Sequence, residues 1–141
     1  MRIIAGKLKG KKLTSLTGTF IRPTADRVRE AIFNICAFQI ADSVVLDLFA
    51  GTGAFSIESL SRGARSAVLI DSSIQAVSII EKNIIACRLK DQAKILLYIF
   101  ISSLTPAFLR LNKMLHRYLP RVNANNCREN KNAYNRPLCF L

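Results

Sequence analysis

The segment Asp47-Leu48-Phe49-Ala50-Gly51-Thr52-Gly53 and the acid Asp71, twenty positions beyond Gly51, are the residues of this chain best spaced to do chemistry. Two glycines one residue apart allow a sharp turn and let backbone approach a bound molecule. The apolar run 44–49 that contains Asp47 has the pattern of a strand covered on both faces. The glycine turn then lies at a strand's carboxyl end, where open parallel sheets bind ligands. A carboxylate in such a run is costly without a partner, which favours a binding role for Asp47 over a solvated strand end. Asp71 closes a second apolar run, 67–70. A carboxylate there can accept both hydroxyls of a ribose. It can also cap the helix that begins at Ser72-Ser73, and the two roles are compatible.

The ligand can be narrowed by charge. A phosphate-binding loop, Gly-x4-Gly-Lys-Ser/Thr, does not occur in the chain. A dinucleotide fingerprint needs a third small residue three positions after the second glycine, where Ser56 stands, and it would set a pyrophosphate beside Asp47. Two like charges at close range disfavour each other. S-adenosylmethionine has no phosphate and carries an ammonium, which suits a carboxylate at Asp47. Asp71 supports an adenosine ligand without choosing between the two, and a nicotinamide-dependent oxidoreductase is the weaker alternative.

The elements that must position these groups follow from apolar periodicity. Residues 1–22 are basic, with Lys7, Lys9, Lys11 and Lys12 around Gly6 and Gly10, and read as a hairpin or extended arm. Pro23 and Thr24 announce a helix, with Thr24 as its N-cap and Asp26 in the first turn. Val28, Ile32, Ile35 and Cys36 recur at helical spacing and predict its buried face. After the strand at 44–49 a helix is expected over 55–61, ending at Gly63. The strand at 67–70 leads to a helix carrying Ile74, Val77, Ile80 and Ile84 on one face. A third strand is expected from 94 to about 101, buried because 95–101 is the longest apolar run. Alternating strands and helices with short links imply an α/β fold with a parallel sheet. Three stretches result: a basic arm at 1–22, a Rossmann-like cofactor-binding half at 23–101, and a divergent basic tail at 102–141, expected to be disordered. The tail offers one candidate helix, 109–119, and no convincing periodicity after Pro120.

Composition bounds the partners. The chain has 141 residues, half of them hydrophobic, which is enough for one domain with a buried core. Its net charge of +12 points to a polyanion, since cationic side chains displace counterions condensed on phosphates. Cys36, Cys87, Cys127 and Cys139 form no CxxC pair and His116 is the only histidine, so no metal site is expected. The irregular cysteine spacing suits reduced thiols in the cytoplasm. The first residues lack the long apolar core of a secretory signal, and no run approaches the ~20 residues of a membrane helix, so no membrane partner is expected.

A family resemblance adds to this reading. Arg2-Ile3-Ile4-Ala5-Gly6, Gly10-Lys11-Lys12-Leu13 and Arg22-Pro23-Thr24-Ala25-Asp26-Arg27-Val28-Arg29-Glu30-Ala31-Ile32-Phe33-Asn34 are followed by the segment from Asp47 to Gly53. Glu58-Ser59-Leu60-Ser61-Arg62-Gly63-Ala64 continues the series. In this order they resemble the bacterial 16S rRNA guanine-N2 methyltransferase family over residues 1–96, about two thirds of the chain. The resemblance implies a class I methyltransferase sheet, S-adenosylmethionine as methyl donor, and a guanine exocyclic amine of small-subunit ribosomal RNA, free or in an assembling subunit, as acceptor. It implies that Asp47, Phe49, Ala50, Gly51, Thr52 and Gly53 hold the methionyl end and that Asp71 holds the ribose. It further implies that Arg2, Lys7, Lys9, Lys11, Lys12, Arg22, Arg27 and Arg29 contact RNA, consistent with the phosphate preference of these side chains. A monomer is expected.

The chain departs from the family pattern after the third strand. Family members carry an acid there, then Asp or Asn-Pro-Pro-Phe or Tyr after the fourth strand. No Pro-Pro occurs here, and the only acid beyond Asp91 is Glu129. That motif orients the target amine toward the methyl, and transfer depends on such alignment. No catalytic residue can be assigned, and the expectation is a reading that leaves the family's frame soon after Lys94, truncating the sheet. The competing reading is a catalytically inactive binder of RNA and cofactor.

Overall fold

The computed structural model describes residues 1–15 and 26–97, together with the backbone of 138–140. The expectations for Arg22, Pro23, Thr24 and the helix at 109–119 lie outside the described residues. The order is a hairpin at 1–13, α1 (Asp26–Ile35), α2 (Ala37–Ile40), β1 (Val44–Asp47), α3 (Ala54–Ser61), β2 (Ser66–Asp71), α4 (Ile74–Ala86), β3 (Ala93–Leu97) and β4 (Leu138–Phe140). The four strands form one parallel sheet in the order β3-β2-β1-β4.

The parallel α/β reading therefore holds, with β1 and β2 in the middle. Every residue of β1 is buried, as an apolar run between helices requires. β3 differs from expectation. Among the described residues it is an edge strand whose only strand neighbour is β2, and it is half-exposed. Residues 98–101 of the expected strand lie outside the described residues. β4 is not legible in the sequence: three residues are too few for a period to register, yet they pair in parallel with Val44, Val45 and Leu46.

Two helix faces are rotated from those expected. On α1 the buried residues are Arg29 and Phe33, while Val28 and Ile35 are exposed. Phe33 decides this. It stacks on Phe55 with ring centroids 5.9 Å apart, and the Arg62 guanidinium lies 4.7 Å from its centroid. On α4 the buried set is Ala76, Ile80, Asn83 and Ile84, and Ile74 is 73% exposed. Asn83 breaks the apolar pattern of that set, but its amide has backbone partners in Thr14 and Thr52.

The basic hairpin is anchored to this framework. Arg2 and Lys12 form an antiparallel bridge, and Ile3 and Leu13 enter the core beside Phe33, Ile57 and Leu60. The amides of Ile4, Ala5, Lys7 and Leu8 all find acceptors on α3. Glu58, fully buried, accepts from Ile4 N at 2.7 Å and Ala5 N at 2.9 Å, and pairs with Arg62 Nε at 2.8 Å. The Ser61 hydroxyl accepts from Leu8 N at 2.9 Å and donates to the Ala5 carbonyl at 2.6 Å. At Gly6 the hairpin passes so close to α3 that a Cβ would stand 2.0 Å from the Ser61 carbonyl oxygen. A buried carboxylate answering two amides and a guanidinium is expensive to remove, because all three donors lose their acceptor. Glu58→Ala should therefore lower stability by about 3 kcal/mol in denaturant unfolding. The Ile4 and Ala5 amides should lose hydrogen-exchange protection first. Unchanged protection at both would refute the anchoring role.

Candidate cofactor site

The site is built where β1 and β2 end side by side. Asp47 is the last residue of β1 and Asp71 the last of β2. The chain between β1 and α3 turns back over the strand ends: Ala50 N donates to the Ile70 carbonyl at 3.0 Å and Gly53 N to the Ala50 carbonyl at 2.7 Å. Gly53 has φ 77°, a left-handed value that would strain a side-chain-bearing residue, and a Cβ there would press on Leu69 at 3.2 Å. Gly51 shares the positive φ but faces open space. The two glycines thus differ in purpose, one closing the helix start against the core and the other leaving the loop's outer side clear.

Asp71 organises this loop. Its Oδ2 accepts from Gly51 N at 2.8 Å and its Oδ1 from Ser73 N at 2.9 Å. The N-cap of α4 is Ser73, whose Oγ accepts from Ala76 N, so Asp71 sits two positions before the cap. A carboxylate has about four acceptor sites, so two amides leave capacity for ligand hydroxyls.

Asp47 is buried, and burial pushes its carboxyl up to about 6 from an ordinary 3.8. The Ser56 hydroxyl, which donates to Oδ2 at 2.9 Å, and the Phe49 amide pull it down, while the neighbouring Asp71 charge pushes it up. No cationic side chain among the described residues pairs with it. A buried carboxylate left without a counter-ion beside a clear loop is the kind of acceptor an ammonium-bearing ligand requires. It is a poor host for a pyrophosphate, which would add charge to two acids.

Of the other loop residues, Ala50 is buried, Gly51 and Thr52 are half-buried, and Phe49 is 77% exposed. Two polar residues in this region have roles that sequence reasoning misses. In the sequence Ser56 reads only as breaking a fingerprint. Asn83 donates to the Thr52 carbonyl at 2.9 Å and exchanges two bonds with Thr14, at 2.8 and 3.0 Å, so one amide ties the glycine loop to the exit of the hairpin. An asparagine between Ile80 and Ile84 on an apolar face is the signal that could have found it.

The cationic residues expected to meet RNA divide. Arg2, Lys7, Lys9, Lys11 and Lys12 on the hairpin and Arg27 on α1 are all solvent-exposed. Arg2, Lys9 and Arg27 line one cleft of about 320 Å³ with Asp26 and Glu30. Arg29 is a correction. Its side chain is fully buried and Nη2 donates to the Arg2 carbonyl and to Asp26, so it braces the hairpin against α1 and does not face a nucleic acid. Its position at the helical spacing of Phe33 turns it inward. Among the described residues no cluster of three His, Cys, Asp or Glu side chains could hold a metal, and no helix is long and apolar enough to cross a membrane.

The raised Asp47 value is also a statement about stability. Where the folded value lies above the unfolded one, stability is full below about pH 4 and is lost as the pH rises through about 6. Asp47→Asn keeps the shape and removes the buried charge. It should stabilise the ligand-free protein by on the order of 2–3 kcal/mol at pH 7 and by nothing near pH 4, read from urea unfolding at both. Equal effects at the two pH values would contradict the burial of an unpaired charge.

The family described as Conserved hypothetical protein 95 matches residues 1–111. Ribosomal RNA small subunit methyltransferase D of Escherichia coli (strain K12) is 49% identical over 71 residues, 50% of this chain and 36% of that protein. YlbH of Bacillus subtilis (strain 168) is 38% identical over 95 residues, 67% of this chain and 52% of that protein. Among solved structures, yhhF of Escherichia coli superposes with a TM-score of 0.60 at 38% identity, covering 68% of this chain and 51% of that one. The hypothetical protein TTHA0928 of Thermus thermophilus superposes with a TM-score of 0.65 at 29% identity, covering 81% and 61%. The chain spans about half the length of the curated relatives it matches, or less. With a match running from the hairpin through the glycine loop and beyond β3, the chain belongs to the Conserved hypothetical protein 95 family.

Proposed function

We propose that this chain carries the S-adenosylmethionine-binding half of a ribosomal RNA methyltransferase, with guanine N2 of small-subunit RNA as the methyl acceptor. The observation that carries the reading is Asp47, buried and without a cationic partner among the described residues, beside a glycine loop whose outer side is clear of them. In this assignment Asp47 meets the methionyl ammonium, and the loop from Phe49 to Gly53 lies along the methionyl chain. Asp71 accepts the ribose hydroxyls with its remaining acceptor capacity. Bound there, the cofactor supplies an electrophilic methyl group. Phe49, exposed at the strand ends, offers an aromatic face at the rim of the same site.

The RNA role belongs to the hairpin. Its backbone is committed to α3, so its lysines are presented on a fixed platform, and fixed cations lose less freedom on meeting phosphates than mobile ones. Arg2, Lys7, Lys9, Lys11, Lys12 and Arg27 supply that surface, with Arg22 assigned to it by resemblance. The relatives named as ribosomal RNA small subunit methyltransferases support RNA as the substrate class. The division into a hairpin arm up to residue 22, a cofactor half to residue 101 and a separate tail belongs to the same reading. So does action as a monomer in the cytoplasm.

A second reading keeps the binding and drops the chemistry. It is favoured by the sequence beyond β3, which has no Pro-Pro pair and no acid other than Glu129 after Asp91. Labelled methyl transfer to unmodified small ribosomal subunits separates the two. Incorporation supports the enzyme, and cofactor binding without incorporation supports the inactive binder. The cofactor assignment itself is tested by calorimetry with S-adenosylhomocysteine and with NAD. S-adenosylhomocysteine should bind and raise the melting temperature, Asp47→Asn should weaken it at least tenfold, and NAD should not bind. Tighter binding of NAD would sink the assignment.

A further inference from the structure

Building on that cofactor assignment, we propose that Ser56 is a positioning residue: its hydroxyl fixes one oxygen of Asp47 so that the carboxylate's remaining lone pairs are presented to the ligand's ammonium. Ser56 lies in the first turn of α3, is fully buried, and donates to Asp47 Oδ2 at 2.9 Å. A serine in a helix ordinarily turns its hydroxyl back to the carbonyl four residues earlier. Ser59 does so, donating to the Phe55 carbonyl at 2.9 Å. For Ser56 the residue four back is Thr52, in the loop before the helix. The Ser56 hydroxyl instead reaches across to β1.

The bond has a consequence for charge. A hydroxyl donating to a carboxylate favours the ionised form, which is the form an ammonium recognises. It opposes burial and the neighbouring Asp71, both of which push Asp47 up, and it acts with the Phe49 amide. Among the described residues the other elements around β1 bring no counter-cation. β2 contributes Asp71. The charged residues of α3, Glu58 and Arg62, pair with each other beneath the hairpin. β4 places Leu138, Cys139 and Phe140 opposite Val44, Val45 and Leu46, one position short of Asp47. Ser56 is thus the one side chain among the described residues that hydrogen-bonds to this carboxylate.

The test uses the full chain. Carbon-13 NMR titration of labelled aspartates, without cofactor, reads Asp47 directly. In Ser56→Ala its midpoint should rise by about one pH unit. Calorimetry with S-adenosylhomocysteine from pH 5.5 to 8 should show the acid-side loss of affinity displaced upward by the same amount. That displacement is about a threefold weakening at pH 6.5, with convergence on the wild type by pH 8. Ser56→Gly should behave like Ser56→Ala and serves in its place should the alanine variant not fold, while Ser56→Thr, which keeps the hydroxyl, should restore the midpoint. An unmoved Asp47 midpoint, or a weakening equal at every pH, would overturn the proposal and leave Ser56 a packing residue. Absence of S-adenosylhomocysteine binding by the wild type at all pH values would instead reject the cofactor assignment, while the titration still decides whether Ser56 holds Asp47.

Discussion

Helix α3 is buried on almost every side, so its polar side chains must find partners without water, and the arrangement of this molecule follows from where they find them. An unpaired polar group in that environment costs about as much as a whole favourable interaction contributes elsewhere. Ser56 answers Asp47 on the sheet. Glu58 and Ser61 answer the hairpin backbone. One short helix thereby joins the strand that ends in Asp47 to the segment that carries the lysines.

The same helix begins at the glycine loop, with Gly53 as its N-terminal flanking residue. Displacing the hairpin would uncover Glu58 and Ser61 and pull on a helix whose first residues define the loop. Asn83 makes a second connection from α4, holding Thr14 and Thr52 with a single amide. The basic hairpin and the glycine loop are therefore tied to the same two helices.

Asp47 and the hairpin illustrate opposite uses of burial. Glu58 is buried with a full set of donors, including a guanidinium, and its charge is answered by the protein itself. Asp47 is buried with a hydroxyl and an amide only, and no cationic side chain among the described residues answers its charge. Binding sites commonly retain such local instability, since a group already neutralised by the fold has little to offer a partner.

The fold class, the glycine turn and both acids of the site are legible in sequence because each depends on local rules. These are unbroken apolar runs for doubly covered strands, left-handed turns that need glycine, and a carboxylate where an apolar run ends. The inward turn of Arg29, the roles of Ser56, Glu58 and Asn83, and the edge position of β3 are not. A basic residue in a helix-start string looks the same whether it faces solvent or braces a hairpin, and serine or glutamate in a short helix looks like a wet face. Only the packing of α3 between hairpin and sheet decides which way these side chains point, because water exclusion is a property of the assembled layers and not of any one segment. The sequence alone determined where the glycine turn would form; the tertiary structure decided which polar groups support it and which of the expected cations are buried, because only the assembled layers exclude water.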